Sequence, residues 1–248
     1  AANTYSAWGM QCASRATEGL AEWQESEKWI REMSSNYPSD SGLHWYLWCR
    51  RTGRGDTAAA RALAEPFFQA TARSVSPGQL YDQGTFRILK EDLQFAKLAF
   101  SNLFSTQRRP EHALLVFQLT RELEGRAAAL ELATEMEALF PDPESRTDVA
   151  QEAVKILEVL KLEAAPLEKL QERVDAVLEL PDYIHCLCLY VLGKEMALAG
   201  HEEAAVKTFR RAIMYFTSDE AISTLVGAEL AKRFGTTRED DDSWDNEF

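Results

Sequence analysis

Helix breakers punctuate this chain at short intervals, which excludes long uninterrupted helices. They stand at Pro38-Ser39-Asp40, Gly53-Arg54-Gly55, Ser76-Pro77-Gly78, Pro110, Gly125, Pro141-Asp142-Pro143, Pro166, Pro181-Asp182, Gly200 and Gly235. Gly55 to Gly125 spans 70 residues and Gly125 to Gly200 spans 75, so each gap holds two units of about 35. Between breakers the apolar residues follow helical spacing, and few stretches alternate with a period of two. The clearest unit is "LGKEMALAGHEEAAVKTFRRAI", Leu192 to Ile213. Leu192, Met196 and Ala199 mark one apolar helix face, Gly200-His201 turns the chain, and Ala205, Phe209 and Ala212 mark the next. Glu202 and Glu203 open the second helix, where its dipole favours negative charge. One such hairpin says little; its recurrence predicts an all-α repeat architecture.

Laid on Cys186–Asp219, this period and residue usage resemble the tetratricopeptide repeat. Leu189, Leu192, Gly193, Met196, Ala205, Phe209 and Ala212 stand at that family's signature positions, with Met196 in place of its aromatic and Thr217 in place of its proline. Weaker units follow. Residues 7–40 carry Met10, Ala13, Ile30, Met33 and Pro38; residues 41–74 carry Leu47, Gly55, Ala60 and Ala64. Residues 110–143 carry Val116, Ala129, Ala133, Met136 and Pro141; residues 150–183 carry Ile156, Leu160, Ala176 and Pro181. The stretch 76–109 keeps the length but lacks the signature, and its Gly84 is placed to end a helix early. The resemblance implies a right-handed superhelical array, an α-solenoid, of about six hairpins over residues 1–234. An irregular α-solenoid or a helical bundle is the competing architecture.

Composition narrows the partners. Net charge is −13, and the imbalance is local: residues 1–100 hold 11 Lys/Arg against 11 Asp/Glu, residues 101–248 hold 16 against 29. Nucleic acid is therefore not expected as a partner. No apolar run approaches the roughly 18 residues of a membrane span, so no membrane insertion is expected. The start, "AANTYSAWGM", has neither an initiator Met nor a signal-peptide pattern, which fits a mature end or a piece of a longer protein. Cys12, Cys49, Cys186 and Cys188 are too scattered for a disulfide framework, so reduced thiols and a cytoplasmic location are expected.

Signatures of chemistry are missing. "RRTGRGDT", Arg50 to Thr57, lacks the phosphate-loop spacing and follows a helix, so it is expected to be a hairpin turn capped by Asp56 or Thr57. "HCLC", His185 to Cys188, places its ligand-type side chains at diverging angles on a helix, so no metal is expected there. His44, His112, His185 and His201 show no paired-ligand spacing, and no nucleophile elbow occurs. The expectation is a protein without catalytic residues, cofactor or metal.

The tetratricopeptide resemblance implies that positions 2, 5, 9 and 12 of each first helix line a concave groove for a protein or peptide segment. Those positions hold Trp8, Gln11, Arg15, Trp45, Cys49, Gln118, Arg121, Tyr190 and Lys194. The family's carboxylate clamp for chaperone tails has no match, so a chaperone adaptor is not favoured. Trp48, on the same helix as Trp45, is expected between repeats. Residues 235–248 form an acidic tail, with six of the last ten residues acidic. Trp244 and Phe248 sit four apart within it, which would place both rings on one face of a docked helix. The functional expectation is a non-catalytic interaction scaffold; the alternatives are a structural subunit of a larger multiprotein complex and a regulatory repeat domain of a larger enzyme.

Overall fold

The computed structural model describes residues 6–36, 41–69, 77–89, 92–163, 165–181, 184–214 and 220–234. The described residues form thirteen α-helices and one 3-10 turn, with no strand among them. Two compact units result, one drawn from Ala1–Thr71 with Ala231–Phe248 and the other from Ala72–Leu230.

The first unit contains α1 (Ala7–Gly19), α2 (Trp23–Asn36), α3 (Ser41–Thr52) and α4 (Thr57–Gln69). Ser6 starts α1, its Oγ accepting from the Gly9 amide at 3.1 Å. α1 packs on α2, α2 on α3, and α3 on α4. A buried polar clasp joins the first three. The Ser14 and Ser26 hydroxyls each donate to the other residue's carbonyl, at 3.0 and 2.8 Å. The Trp48 indole N–H then donates to Ser26 Oγ at 2.8 Å. All three side chains are buried, so these bonds satisfy donors that would otherwise be stranded away from water. The Arg50–Thr57 segment is the expected turn: Gly53 and Gly55 take φ of 66° and 76°, and Asp56 Oδ1 accepts from Ala59 to begin α4.

The second unit contains α5 (Pro77–Leu89), α6 (Leu93–Gln107), α7 (Pro110–Glu124), α8 (Arg126–Glu137), α9 (Asp148–Leu160), α10 (Leu167–Leu178), α11 (His185–Leu198), α12 (Glu202–Met214) and most of α13 (Glu220–Phe234). Its boundaries follow from local chemistry. Pro110 opens α7 where a missing amide costs nothing, and Gly125 and Gly200 turn the chain at φ of 90° and 83°. Asp92 and Thr147 cap α6 and α9 through the Phe95 and Ala150 amides. Consecutive helices pair as α5 with α6, α7 with α8, α9 with α10, and α11 with α12. α7, α9 and α11 also pack on one another, and the burial of every residue of α7 from Pro110 to Thr120 follows from neighbours on all sides.

Five of the six pairs bury their residues at one repeating interval, and in the α9–α10 pair it is one residue longer. Gly193, Ala205, Phe209 and Ala212 set it, and Gly84, Ala96, Phe100 and Leu103 reproduce it residue for residue. So do Ser14, Ser26, Ile30 and Met33, and Phe117, Ala129, Ala133 and Met136; Trp48, Ala60 and Ala64 follow it as far as α4 is described in side chain. A Cβ on Gly193 would lie 2.5 Å from the Phe209 ring, and one on Gly84 would lie 2.9 Å from the Phe100 ring. Glycine lets the phenylalanine of the second helix lie flat on the first. Where the first helix instead carries Trp48, Phe117 or Leu157, the second carries Ala64, Ala133 or Val174, so the bulk changes sides.

Two readings are corrected here. Gly84 does not end a helix: it lies inside α5, which runs on to Leu89, because Phe100 fills the space its side chain would occupy. Residues 76–109 thus carry the repeat one residue later than the register tested. In α10 the buried residues are Leu170, Val174 and Val177, while Ala176 is only half-buried. One extra residue in the α9–α10 connection shifts that helix by one position.

Candidate partner-binding face

The residues expected to line a groove fall in both units. In the first, the side chain of Trp8 lies outside the described residues, as do Trp244 and Phe248 of the tail. Gln11 and Arg15 are half-buried on α1, and Arg15 faces Glu18 at 4.0 Å. Trp45 and Cys49 are buried in α3. The Arg31 guanidinium covers the Trp45 ring at 5.0 Å, a cation–π contact that shields the indole from water. Burial, with Glu27 and Asp56 adding to it, pushes the Cys49 thiol up to about 12, so it stays protonated. Trp45 and Cys49 therefore contribute to the interior and offer little surface, unlike the groove positions the sequence suggested.

In the second unit α7 and α11 bring four of the named residues together. Gln118 Nε2 donates to Glu122 at 3.0 Å, and Glu122 also holds Lys194 Nζ at 3.0 Å. Lys194 further faces Glu229 of α13 at 3.4 Å. One residue along on each helix, Arg121 donates to Glu195. Two cations thus sit among three carboxylates. Tyr190 is buried on the same helix, its ring 6.4 Å from that of Phe209, so it belongs to the hairpin core.

Burial pushes the Glu195 carboxyl up from its ordinary value, against the pull of Arg121 and Arg126. Arg126 itself spans the C-terminal end of α9, donating to the Lys161 carbonyl at 2.6 Å and to that of Leu162. Those carbonyls lack helical partners, and a guanidinium beside them also suits the negative end of the dipole.

Glu195 and Glu229 carry no motif that singles them out, and Glu122, which reads from sequence with Glu124 as a pair on a solvated helix face, instead holds Gln118 and Lys194. Glu195 carried a usable signal, since a carboxylate inside the apolar helix "HCLCLYVLGKEMAL" needs a cation nearby. Its partner, 74 positions away, is not readable from periodicity.

Other titratable groups are arranged for packing. His185 Nε2 bonds the Leu180 carbonyl at 2.7 Å, and Cys186 Sγ donates to the Ala212 carbonyl at 3.1 Å, so these neighbours serve different elements. Burial raises the Cys188 thiol and lowers His112 to about 4, which leaves both neutral near pH 7. Among the described residues no three His, Cys, Asp or Glu side chains are placed to share a metal ion, and no helix is long and apolar enough to cross a membrane. A cleft of about 210 Å³ between α10 and α12 has a rim of paired charge, with Arg211 facing Asp175 at 3.5 Å and Lys207 facing Glu203 at 3.1 Å. No protein-family model matches the chain, and no curated protein shows significant similarity to it.

Proposed function

We propose that this protein is a non-catalytic interaction scaffold of the tetratricopeptide type, whose hairpins stack as a right-handed superhelix and hold a segment of a partner protein. The burial interval shared by five helix pairs and one residue longer in the sixth, with glycine seated under phenylalanine in two of them, carries this reading. Hairpins of that kind bury their faces only against neighbours, and stacking leaves one side lined by first helices. In the second unit the candidates that keep some exposure are Arg121 and Lys194, Gln118 being buried; in the first unit they are Gln11 and Arg15. Their chemistry favours recognition by paired charge, in keeping with a protein partner in the cytoplasm.

The test is affinity capture from the native source with immobilised full-length protein, repeated with Lys194→Met. Lys194 is partly buried, and Met preserves much of its stem while Gln118 still bonds Glu122, so circular dichroism should be unchanged. The expected result is a specific protein retained by the wild type and reduced tenfold or more by the variant. Retention that is equal for both would reject this face. A partner bound just as well by Lys194→Met, Gln11→Ala and Arg15→Ala proteins would favour the structural-subunit alternative, in which other surfaces make the contact.

A further inference from the structure

The cleft between α10 and α12 is built from the second helices of two consecutive pairs, whereas Arg121 and Lys194 stand on first helices. Its walls follow from helical spacing. Gln171 and Asp175, four apart on α10, line one side, and Lys207 and Arg211, four apart on α12, line the other. Val174, Ala204 and Thr208 complete the lining, and Val174 and Thr208 are buried. The Thr208 hydroxyl donates to the Met196 sulfur at 3.3 Å, so its proton is already committed. The lining therefore carries two cations against one carboxylate, within a stretch, residues 101–248, that holds 16 Lys/Arg against 29 Asp/Glu. We propose that this cleft is a second binding site, which takes one acidic side chain, aspartate or glutamate, from a segment of a partner protein. The site goes beyond the scaffold reading above and does not depend on the first-helix face.

Both cations are held, yet weakly. Arg211 faces Asp175 at 3.5 Å across the cleft, with the two side chains 52% and 75% exposed. Lys207 faces Glu203 at 3.1 Å, with 60% and 87% exposed. Water screens pairs this open, so exchanging Asp175 or Glu203 for an entering carboxylate costs little. The entering group gains more than either present partner offers. Lys207 and Arg211 border the same space, and a guanidinium binds a carboxylate through two parallel N–H groups. Gln171, which has no hydrogen-bond partner among the described residues, adds an amide donor from the facing wall. Val174 and Ala204 offer apolar surface to the stem of the side chain. A volume of about 210 Å³ suits one side chain and not a length of backbone. The sign and size of the charge are also selected. A basic side chain would meet Lys207 and Arg211, and Asp175 on the facing wall repels a phosphate dianion more than a single carboxylate.

Titration of the isotope-labelled full chain with the peptide acetyl-Leu-Glu-Leu-amide, followed by backbone amide chemical shifts, tests this. The matching peptides with glutamine or lysine at the centre, and inorganic phosphate, are titrated beside it. Amides of 171–175 and 204–211 should shift saturably with the glutamate peptide, which should bind at least tenfold more tightly than the glutamine or lysine peptide. Added salt should weaken the binding. The double variant Lys207→Gln, Arg211→Gln should lose at least tenfold in affinity with an unchanged circular dichroism spectrum, since both side chains are more than half exposed. Asp175→Asn, which removes the carboxylate that competes for Arg211, should bind the glutamate peptide severalfold more tightly. A purely structural Arg211–Asp175 pair predicts no such gain. Absence of saturable shifts, equal binding of the three peptides, or a double variant that binds like the wild type overturns the proposal. Phosphate bound more tightly than the glutamate peptide also overturns it, in favour of a phosphate site. Lys194→Met should bind the peptide as the wild type does, so failure at this cleft and failure of the first-helix face are read separately.

Discussion

Gly193→Ala is the sharpest probe of the hairpin interior. In a solvated helix the change is favourable by up to about 1 kcal/mol, because glycine loses more backbone freedom on folding. Here the added Cβ would stand 2.5, 2.8 and 3.0 Å from three carbons of the Phe209 ring. Carbon atoms rest at about 3.5–4.0 Å, so the ring must retreat by roughly 1 Å within a fully buried position. Overpacking of this severity costs about 1–3 kcal/mol or more. The clash exceeds the propensity gain, and a net loss of roughly 1–2 kcal/mol is expected. Urea denaturation followed at 222 nm measures it. Adding Phe209→Leu, which removes the clashing ring carbons, should recover part of the loss, giving a double-mutant coupling of at least about 1 kcal/mol. An alanine variant as stable as the wild type, or one strictly additive with Phe209→Leu, would show that the two residues do not meet as described.

Three further outcomes are expected. Ser26→Ala removes the acceptor of the Trp48 indole and one half of the serine clasp, so it should destabilise by about 1–3 kcal/mol; an unchanged melting curve would mean that the indole N–H finds another partner. His112 is depressed in the folded chain to about 4 from 6.5, mainly by burial. The unfolded chain therefore binds a proton that the folded chain refuses between those values. Stability is fully retained above pH 6.5 and falls as pH drops toward 4, by roughly 3 kcal/mol at most, and a pH series of denaturation midpoints on His112→Phe should be flatter over that window. Cys12 is exposed whereas Cys49, Cys186 and Cys188 are buried, and the Cys49 thiol sits at about 12. Maleimide at pH 7 should label Cys12 alone until denaturant is added, and mass spectrometry showing Cys49 modified as fast as Cys12 would refute its assigned environment.

The helical class and most helix limits were legible because glycine and proline act locally. Gly125, Gly200 and the Arg50–Thr57 turn required no knowledge of distant residues. Hairpin interiors were legible only where the register happened to be right. Residues 76–109 looked featureless because the alignment was one residue early, which put Gln83 where Gly84 belongs. The α10 core likewise stands one residue late, because the α9–α10 connection holds one extra residue. The candidate site was harder still. Trp45 reads as a surface anchor in an aromatic, basic segment, but the Arg31 that covers it comes from another helix. Lys194 and Arg121 were visible as cations; that Glu122, Glu195 and Glu229 are their partners depends on the packing of α7 on α11 and on the approach of Glu229 to Lys194.

The exchange of bulk between facing helices has a consequence for how such a chain can drift. At Trp48 and Ala64, at Phe117 and Ala133, and at Gly193 and Phe209, a large buried ring stands opposite a small residue, and what varies is which helix supplies it. A single change in one member costs stability, whereas compensated changes in both cross from one arrangement to the other with the interior still full. The hairpins could therefore diverge in sequence without diverging in shape. Their kinship is stored in couplings between positions sixteen apart, seventeen in the α9–α10 pair, where a comparison made one position at a time would find tryptophan, glycine, serine, phenylalanine and leucine with nothing in common.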